Sequence, residues 1–174
     1  MADVVSVELL LDPATEERVR DDWRRLADAG LSSLAAHTSP SNRPHVTLLV
    51  RATVPPVDFA AAVRMLPIPI ELAEPVVFAH GDRGVLAWRV PVTDAVTALH
   101  EAVHSAVPTG ADADAPHTKP GEWTPHVTLA RRLRLDRLDE ARSLLGPPLS
   151  GAGVALRRWD AAEKRVTEIG GREP

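Results

Sequence analysis

Cysteine and tyrosine are absent from this 174-residue chain, and lysine occurs twice against eighteen arginines. Without cysteine there are no disulfides, no thiolate metal sites and no thiol nucleophile, and nothing points to an oxidising compartment. Aromatic residues make up only 3% of the chain, four tryptophans and two phenylalanines, too few for a track of bases stacked along a long single strand. Positive charge is not in excess: 20 basic against 24 acidic residues leave a net −4, which excludes a chain-wide basic footprint for duplex DNA. No apolar run is long enough to span a membrane, and the opening "MADVVSVELLLDP" has no basic n-region, so a cytoplasmic protein with no membrane partner is expected. What is present is 44% hydrophobic residues, enough for one domain with a real core or for two small lobes sharing one.

The pentapeptide Pro-His-Val-Thr-Leu occurs twice, at Pro44–Leu48 and Pro125–Leu129. The repeat is longer than that: "HTSPSNRPHVTL" begins at His37 and "HTKPGEWTPHVTL" at His117, offset by 80 residues at the start and 81 at the end. Upstream elements keep the offset. "VSVELLL" (Val5–Leu11) and "VLAWRV" (Val85–Val90) read as strands. A helical pattern follows each, one opening after Pro13 and stopping near Gly30, the other opening at Thr93 as N-cap and stopping at Pro108. Further helices are predicted over Val57–Leu66 and Asp136–Leu145, an extended proline-interrupted segment over Ile68–Ala79, and a strand hairpin in the tail. The expected organisation is one α+β domain over residues 1–174, with repeat units at 5–66 and 85–145. It is bilobal and pseudo-two-fold, with an antiparallel sheet in each lobe, flanking helices and a groove between.

A packed strand does not need a histidine and a threonine two residues apart, twice. In a strand, residues i and i+2 share a face, so His45 lies with Thr47 and His126 with Thr128, while the valines and leucines of the motif face the core. Across a groove, two imidazoles suit in-line displacement at phosphorus: one takes a proton from the attacking oxygen, the other gives one to the leaving oxygen. An unperturbed pKa of about 6.5 fits histidine to both roles. The threonine hydroxyls can donate to non-bridging phosphate oxygens as charge builds. Neither metal nor cofactor is required.

On these residues the chain resembles the two-histidine (2H) phosphoesterase superfamily, and "HVTLAR" (His126–Arg131) is similar to the second motif of the bacterial 2′-5′ RNA ligase, or RNA 2′,3′-cyclic phosphodiesterase, group. The resemblance implies a bilobal α+β fold with the active groove between lobes. It also implies opening of 2′,3′-cyclic phosphates on a nucleotide or an RNA terminus, with reversible 2′-5′ joining in some members. Carried over to this chain, it makes His45 the proton donor, His126 the proton acceptor, Thr47 and Thr128 phosphate contacts and Arg131 a substrate contact, in a protein expected to be a monomer. The first motif continues "HVTLLVRA" where that group typically continues with phenylalanine and glycine. Strict alternation puts Arg131 on the face opposite His126, roughly 16 Å along a straight strand, so its joining the site requires a bend or bulge.

Two other readings compete. "HEAVH" fits the zincin pattern, with His100 and His104 one helical turn apart as zinc ligands and Glu101 as base; the plainer reading is a solvated helix face. A non-catalytic nucleotide-binding module is the second. His37 and His117 are placed in the loops before the motifs. Trp123 is a candidate base-stacking ring, and Arg157, Arg158 and Trp159 a basic-aromatic cluster, with ordinary packing the preferred role for both.

Overall fold

The computed structural model describes residues 3–108 and 118–172. Strand β1 (Val5–Leu11) is buried along its whole length, as an apolar run broken only by Ser6 and Glu8 suggests for a central strand. It is followed by helix α1 (Pro13–Asp28). Asp12 caps that helix: its carboxylate accepts from Thr15 N at 3.0 Å, Thr15 Oγ1 at 2.7 Å and Ala152 N at 2.8 Å. Pro13 opens the first turn, where a missing N–H costs nothing. Val19, Trp23 and Leu26 give α1 its buried stripe.

The remaining elements are β2 (His45–Arg51), α2 (Ala60–Val63), β3 (Ile68–Leu72), β4 (Pro75–His80), β5 (Arg83–Arg89), α3 (Asp94–Ala106), β6 (His126–Arg134), α4 (Leu138–Leu144), β7 (Leu149–Asp160) and β8 (Arg165–Gly171). Thr93 caps α3 as the sequence predicts, accepting from Val96 N. The helix expected over Val57–Leu66 contracts to α2, which is hemmed in by Pro55, Pro56 and Pro67. The one expected from Asp136 begins as a 3₁₀ turn over Leu135–Arg137 and becomes α4 only at Leu138.

In place of one sheet per lobe there is a single eight-stranded sheet, in the order β3-β7-β1-β2-β6-β5-β4, with β8 also on β7. Every registered pair is antiparallel. The two halves merge because β2 and β6 meet, and they meet at one registered pair, Val46 opposite Val127. Both valines are fully buried. β3 and β4 stand at opposite ends of this order, yet Leu72 and Pro75 are three residues apart and span at most about 11 Å. The sheet therefore curls enough to bring the end of β3 close to the start of β4, and between them Ala73 N and Glu74 O bond the backbone of Arg89 in β5. Gly153 lies where β3, β7 and β1 cross; a Cβ there would sit 2.5 Å from Leu9. No described helix is long and apolar enough to cross a membrane.

Asp12 ties α1 to β7 through three bonds at once. Asp12→Ala is expected to lower unfolding free energy by about 1–2 kcal/mol, the upper range for a lost N-cap, measured by urea denaturation with an unchanged m-value.

Candidate active site

The repeated pentapeptide has the same local form in both halves. Between Val7/Glu8 of β1, the partner in β2 steps from Leu49 to Thr47, so Leu48 is an extra, bulged residue. Between Leu86/Ala87 of β5, the partner in β6 steps from Ala130 to Thr128, so Leu129 is extra. The leucine of Pro-His-Val-Thr-Leu is thus a β-bulge each time, and it turns two successive side chains into the core: Leu48 and Leu49 in one half, Leu129 and Ala130 in the other. Ahead of the bulge, His45, Thr47, His126 and Thr128 are half-buried and alternate with buried valine. An antiparallel register through Val46 and Val127 sets His45 opposite Thr128 and Thr47 opposite His126, all four on one face.

The bulge also settles the position of Arg131. Ala130 is the partner of Leu86, whose side chain is wholly buried, so the next residue returns to the face of Thr128. A second register shift follows before Leu133, where Arg132 takes φ 57°. Arg131 is exposed and lies on the histidine face by register. Strict alternation fails for it because the strand carries an extra residue.

Each imidazole is anchored in the same way. His45 Nδ1 lies 2.7 Å from the carbonyl of Arg43, and His126 Nδ1 lies 2.7 Å from the carbonyl of Thr124. A carbonyl only accepts, so Nδ1 carries a proton in both rings and Nε2 is the nitrogen at which protonation can change. The surroundings then differ. Glu8 is the β1 partner of Thr47, and its carboxylate stands 3.5 Å from His45 Nε2. Glu8 is buried and bonded to Arg157 Nε at 2.7 Å and Ser6 Oγ at 2.8 Å. Burial opposes its charge, but the His45 and Arg157 cations, with the bonds from Ser6 and Arg157, together hold its carboxyl below its ordinary value. In the other half, Ala87 is the partner of Thr128 and Arg89 that of His126. Arg89 is ion-paired with Glu74, and the Phe78 ring lies 4.8 Å from the His126 ring. A cavity of about 400 Å³, lined by Ser39, Ser41, Arg43, Arg157, Lys164 and the His45 register partner Leu10 among others, lies next to this half and does not include the four motif side chains.

Glu8 is the residue that motif reading passes over. Its signal is a single carboxylate inside the apolar run VSVELLL, a residue type that stays buried only when paired. Arg157 is packed, as preferred for the tail cluster, but packed as the partner of Glu8.

The zincin pair is committed elsewhere. His100 is buried, its Nε2 is 2.9 Å from Thr118 O, and its ring stacks on Trp123 at 3.9 Å and 4°. His104 Nε2 is 3.0 Å from Leu48 O. With both Nε2 atoms donating to carbonyls, the two rings brace the loop and strand of the motifs, and Glu101 is exposed on the helix. Among the described residues no three His, Asp or Glu side chains converge as a metal site. Trp123 is half-buried, with one face covered by His100 and its Nε1 donating to Thr47 O at 3.1 Å. Arg158 pairs with Asp160. His37 is exposed, and its loop is held through its carbonyl, which accepts from Asn42 Nδ2. His117 lies outside the described residues.

The profile of the 2′-5′ RNA ligase superfamily matches residues 12–170. Among solved structures, the chain is similar to Kluyveromyces marxianus Usb1 with uridine monophosphate, at 14% identity and TM-score 0.49, covering 97% of this chain and 98% of that one. It is also similar to Kluyveromyces marxianus Usb1, at 12% identity and TM-score 0.47 over the same shares. No curated protein matches the chain.

Because the folded state holds Glu8 below its ordinary 4.5, the ionised network adds stability that is complete above about that pH and is lost as pH falls through the folded-state value. Glu8→Ala is expected to cost about 3–5 kcal/mol at pH 7, since it leaves Arg157 buried without its carboxylate. Glu8→Gln is expected to flatten the acid side of a Tm-against-pH curve. A variant curve parallel to wild type from about pH 6 to about pH 3 would contradict the assignment.

Proposed function

Since the chain belongs to the 2′-5′ RNA ligase superfamily, we propose that it is a phosphodiesterase that opens 2′,3′-cyclic phosphates of RNA ends or small nucleotides by metal-independent acid–base catalysis at His45 and His126. The supporting observation is the matched pair of imidazoles, each with Nδ1 fixed on the carbonyl two residues upstream, on strands that meet at Val46 and Val127. His126 Nε2 takes a proton from water as its oxygen attacks phosphorus. The bond from phosphorus to the 3′-oxygen breaks in line, and protonated His45 gives its Nε2 proton to that leaving oxygen. A 2′-phosphate and a free 3′-hydroxyl result, and solvent exchange resets both rings. With an RNA 5′-hydroxyl in place of water, the same proton transfers join a 2′-5′ linkage.

Charge supports this order of roles. An ionised Glu8 is a counter-ion for the imidazolium that an acid must be, whereas the ring that must begin neutral has Ala87 at the corresponding register position and, opposite it, Arg89 already paired with Glu74. The Thr47 and Thr128 hydroxyls donate to the non-bridging oxygens, and Arg131 supplies positive charge on the same face. The leaving sugar sits on the acid's side, where the cavity lined by Leu10, Ser41 and Arg43 lies.

Purified protein, with EDTA present, is expected to convert 2′,3′-cyclic nucleotides or RNA ending in a cyclic phosphate to 2′-phosphates, with a bell-shaped pH profile belonging to the pair. His45→Ala or His126→Ala should lower turnover roughly 10²–10⁴-fold, and the double variant should lose far less than the product of the two. Thr47→Ala and Thr128→Ala should slow turnover and leave the profile's shape alone. Turnover abolished by chelation, with zinc bound at His100 and His104, would return the zincin reading. Nucleotide binding with no turnover of any cyclic phosphate would return the binding-module reading.

A further inference from the structure

On the reading of His45 and His126 as acid and base, we propose that Trp23 and Trp123 are paired positioning residues: their indole N–H groups hold the two histidine strands at a seam one residue pair long and so set the spacing of the imidazoles. Trp23 Nε1 donates to Thr128 O and Trp123 Nε1 to Thr47 O, both at 3.1 Å. These are the carbonyls of the two motif threonines. β1 and β2 register over six pairs, and so do β5 and β6, but β2 and β6 over one. A strand carbonyl in a packed region needs a donor. An indole is a donor only, so it satisfies the carbonyl without continuing the ladder, and its bulk keeps the facing strand from closing.

The arrangement is reciprocal. Trp23, on α1 of the first half, reaches the strand of the second. Trp123, in the loop of the second half, reaches the strand of the first. The repeat does not explain this. At the repeat offsets, the counterpart of Trp23 is Val103 and that of Trp123 is Asn42, so the two halves place an indole on the same carbonyl from unrelated positions. Both rings are braced from behind. Trp23 is 2% exposed, lies 5.6 Å beneath the Arg20 guanidinium, and has its own carbonyl held by Ser33 Oγ at 2.6 Å. Trp123 is stacked on His100, and His104 holds the adjacent carbonyl, Leu48 O. Braced indoles on both sides of the seam make a spacer of defined width, and acid–base transfer across one phosphorus depends on that width.

The test is Trp23→Phe and Trp123→Phe, which remove the donor and keep a ring. With a 2′,3′-cyclic nucleoside monophosphate as substrate, each is expected to lower kcat roughly 10–100-fold, the scale of a misplaced catalytic group, with KM changed less than about twofold. Trp159→Phe is the control. It trims an indole to a phenyl ring on β7, where Trp159 pairs with Ser6 and Val166 and not with either histidine strand, and should leave kcat within about twofold. Wild-type kcat in the folded Trp23→Phe and Trp123→Phe proteins, or an equal loss in the control, overturns the proposal. If the wild-type protein turns over no cyclic phosphate, the acid–base reading fails and the seam is judged on its own protons. Indole N–H signals of Trp23 and Trp123 that exchange with D₂O at least about tenfold more slowly than an exposed indole would sustain the clamp; rapid exchange at either would overturn it.

Discussion

The structure turns on one contact, Val46 against Val127. Among the described residues it is the only registered pair between β2 and β6, and it joins two half-sheets into one curled sheet. A longer ladder would draw the strands flush and bring the histidine and threonine side chains into ordinary cross-strand contact. No ladder at all would leave two half-sheets with unpaired edges. A single buried pair gives a fixed point about which the two strands diverge, with one histidine and one threonine on each side of it. The bulge at Leu48 and its counterpart at Leu129 have the same effect along each strand. Both bend the chain at the last residue of the motif and commit two successive apolar residues to the core, so the half-buried polar pair ahead of the bulge keeps its own face.

Across the two repeated strands the charges are not symmetric. Strand register makes Glu8 the counterpart of Ala87 and Leu10 the counterpart of Arg89. One histidine therefore has a buried carboxylate beside it, and the other stands opposite an arginine that is itself paired with Glu74. Two imidazoles in identical surroundings would share protonation equally, and only part of the population would hold one proton on the correct ring. On the proposed mechanism an acid and a base need different surroundings, and it is the flanking strands, not the repeated motif, that differ between the two histidines.

The repeated motif and its partners in order along the chain were legible because duplication leaves matched spacing, and period-two alternation places His45 with Thr47 and His126 with Thr128. β1, α1 and α3 follow from apolar runs and caps that depend on nearby residues only. What was not legible depends on register. An 80-residue offset aligns Glu8 with Trp88, which is buried and pairs with the core-facing Val127; the structural offset between β1 and β5 is set by pairing and places Glu8 against Ala87. A bulge adds one residue without any mark in composition, so Arg131 is assigned to the wrong face by alternation. The union of the half-sheets depends on two valines that look like any other core residues. The roles of Trp23, His100 and His104 are long-range hydrogen bonds, which no local pattern announces.

The Glu8–Arg157 pair is hard to account for as a stabilising device. Removing two charges from water costs several kcal/mol per ion, and well-packed apolar residues of similar size commonly do as well or better. Both residues sit in strands whose neighbours are apolar, so an apolar substitute would suit the core. What such a substitute cannot do is present an ionised oxygen 3.5 Å from His45 Nε2. Arg157 and Ser6 bind the carboxylate from its other sides, which keeps it charged in a buried position and fixes where its oxygens point. On the proposed mechanism the pair serves the role given to His45, and the stability it confers is conditional on the ionisation of Glu8. That placement, and not a gain to the core, accounts for a glutamate in the middle of an apolar strand.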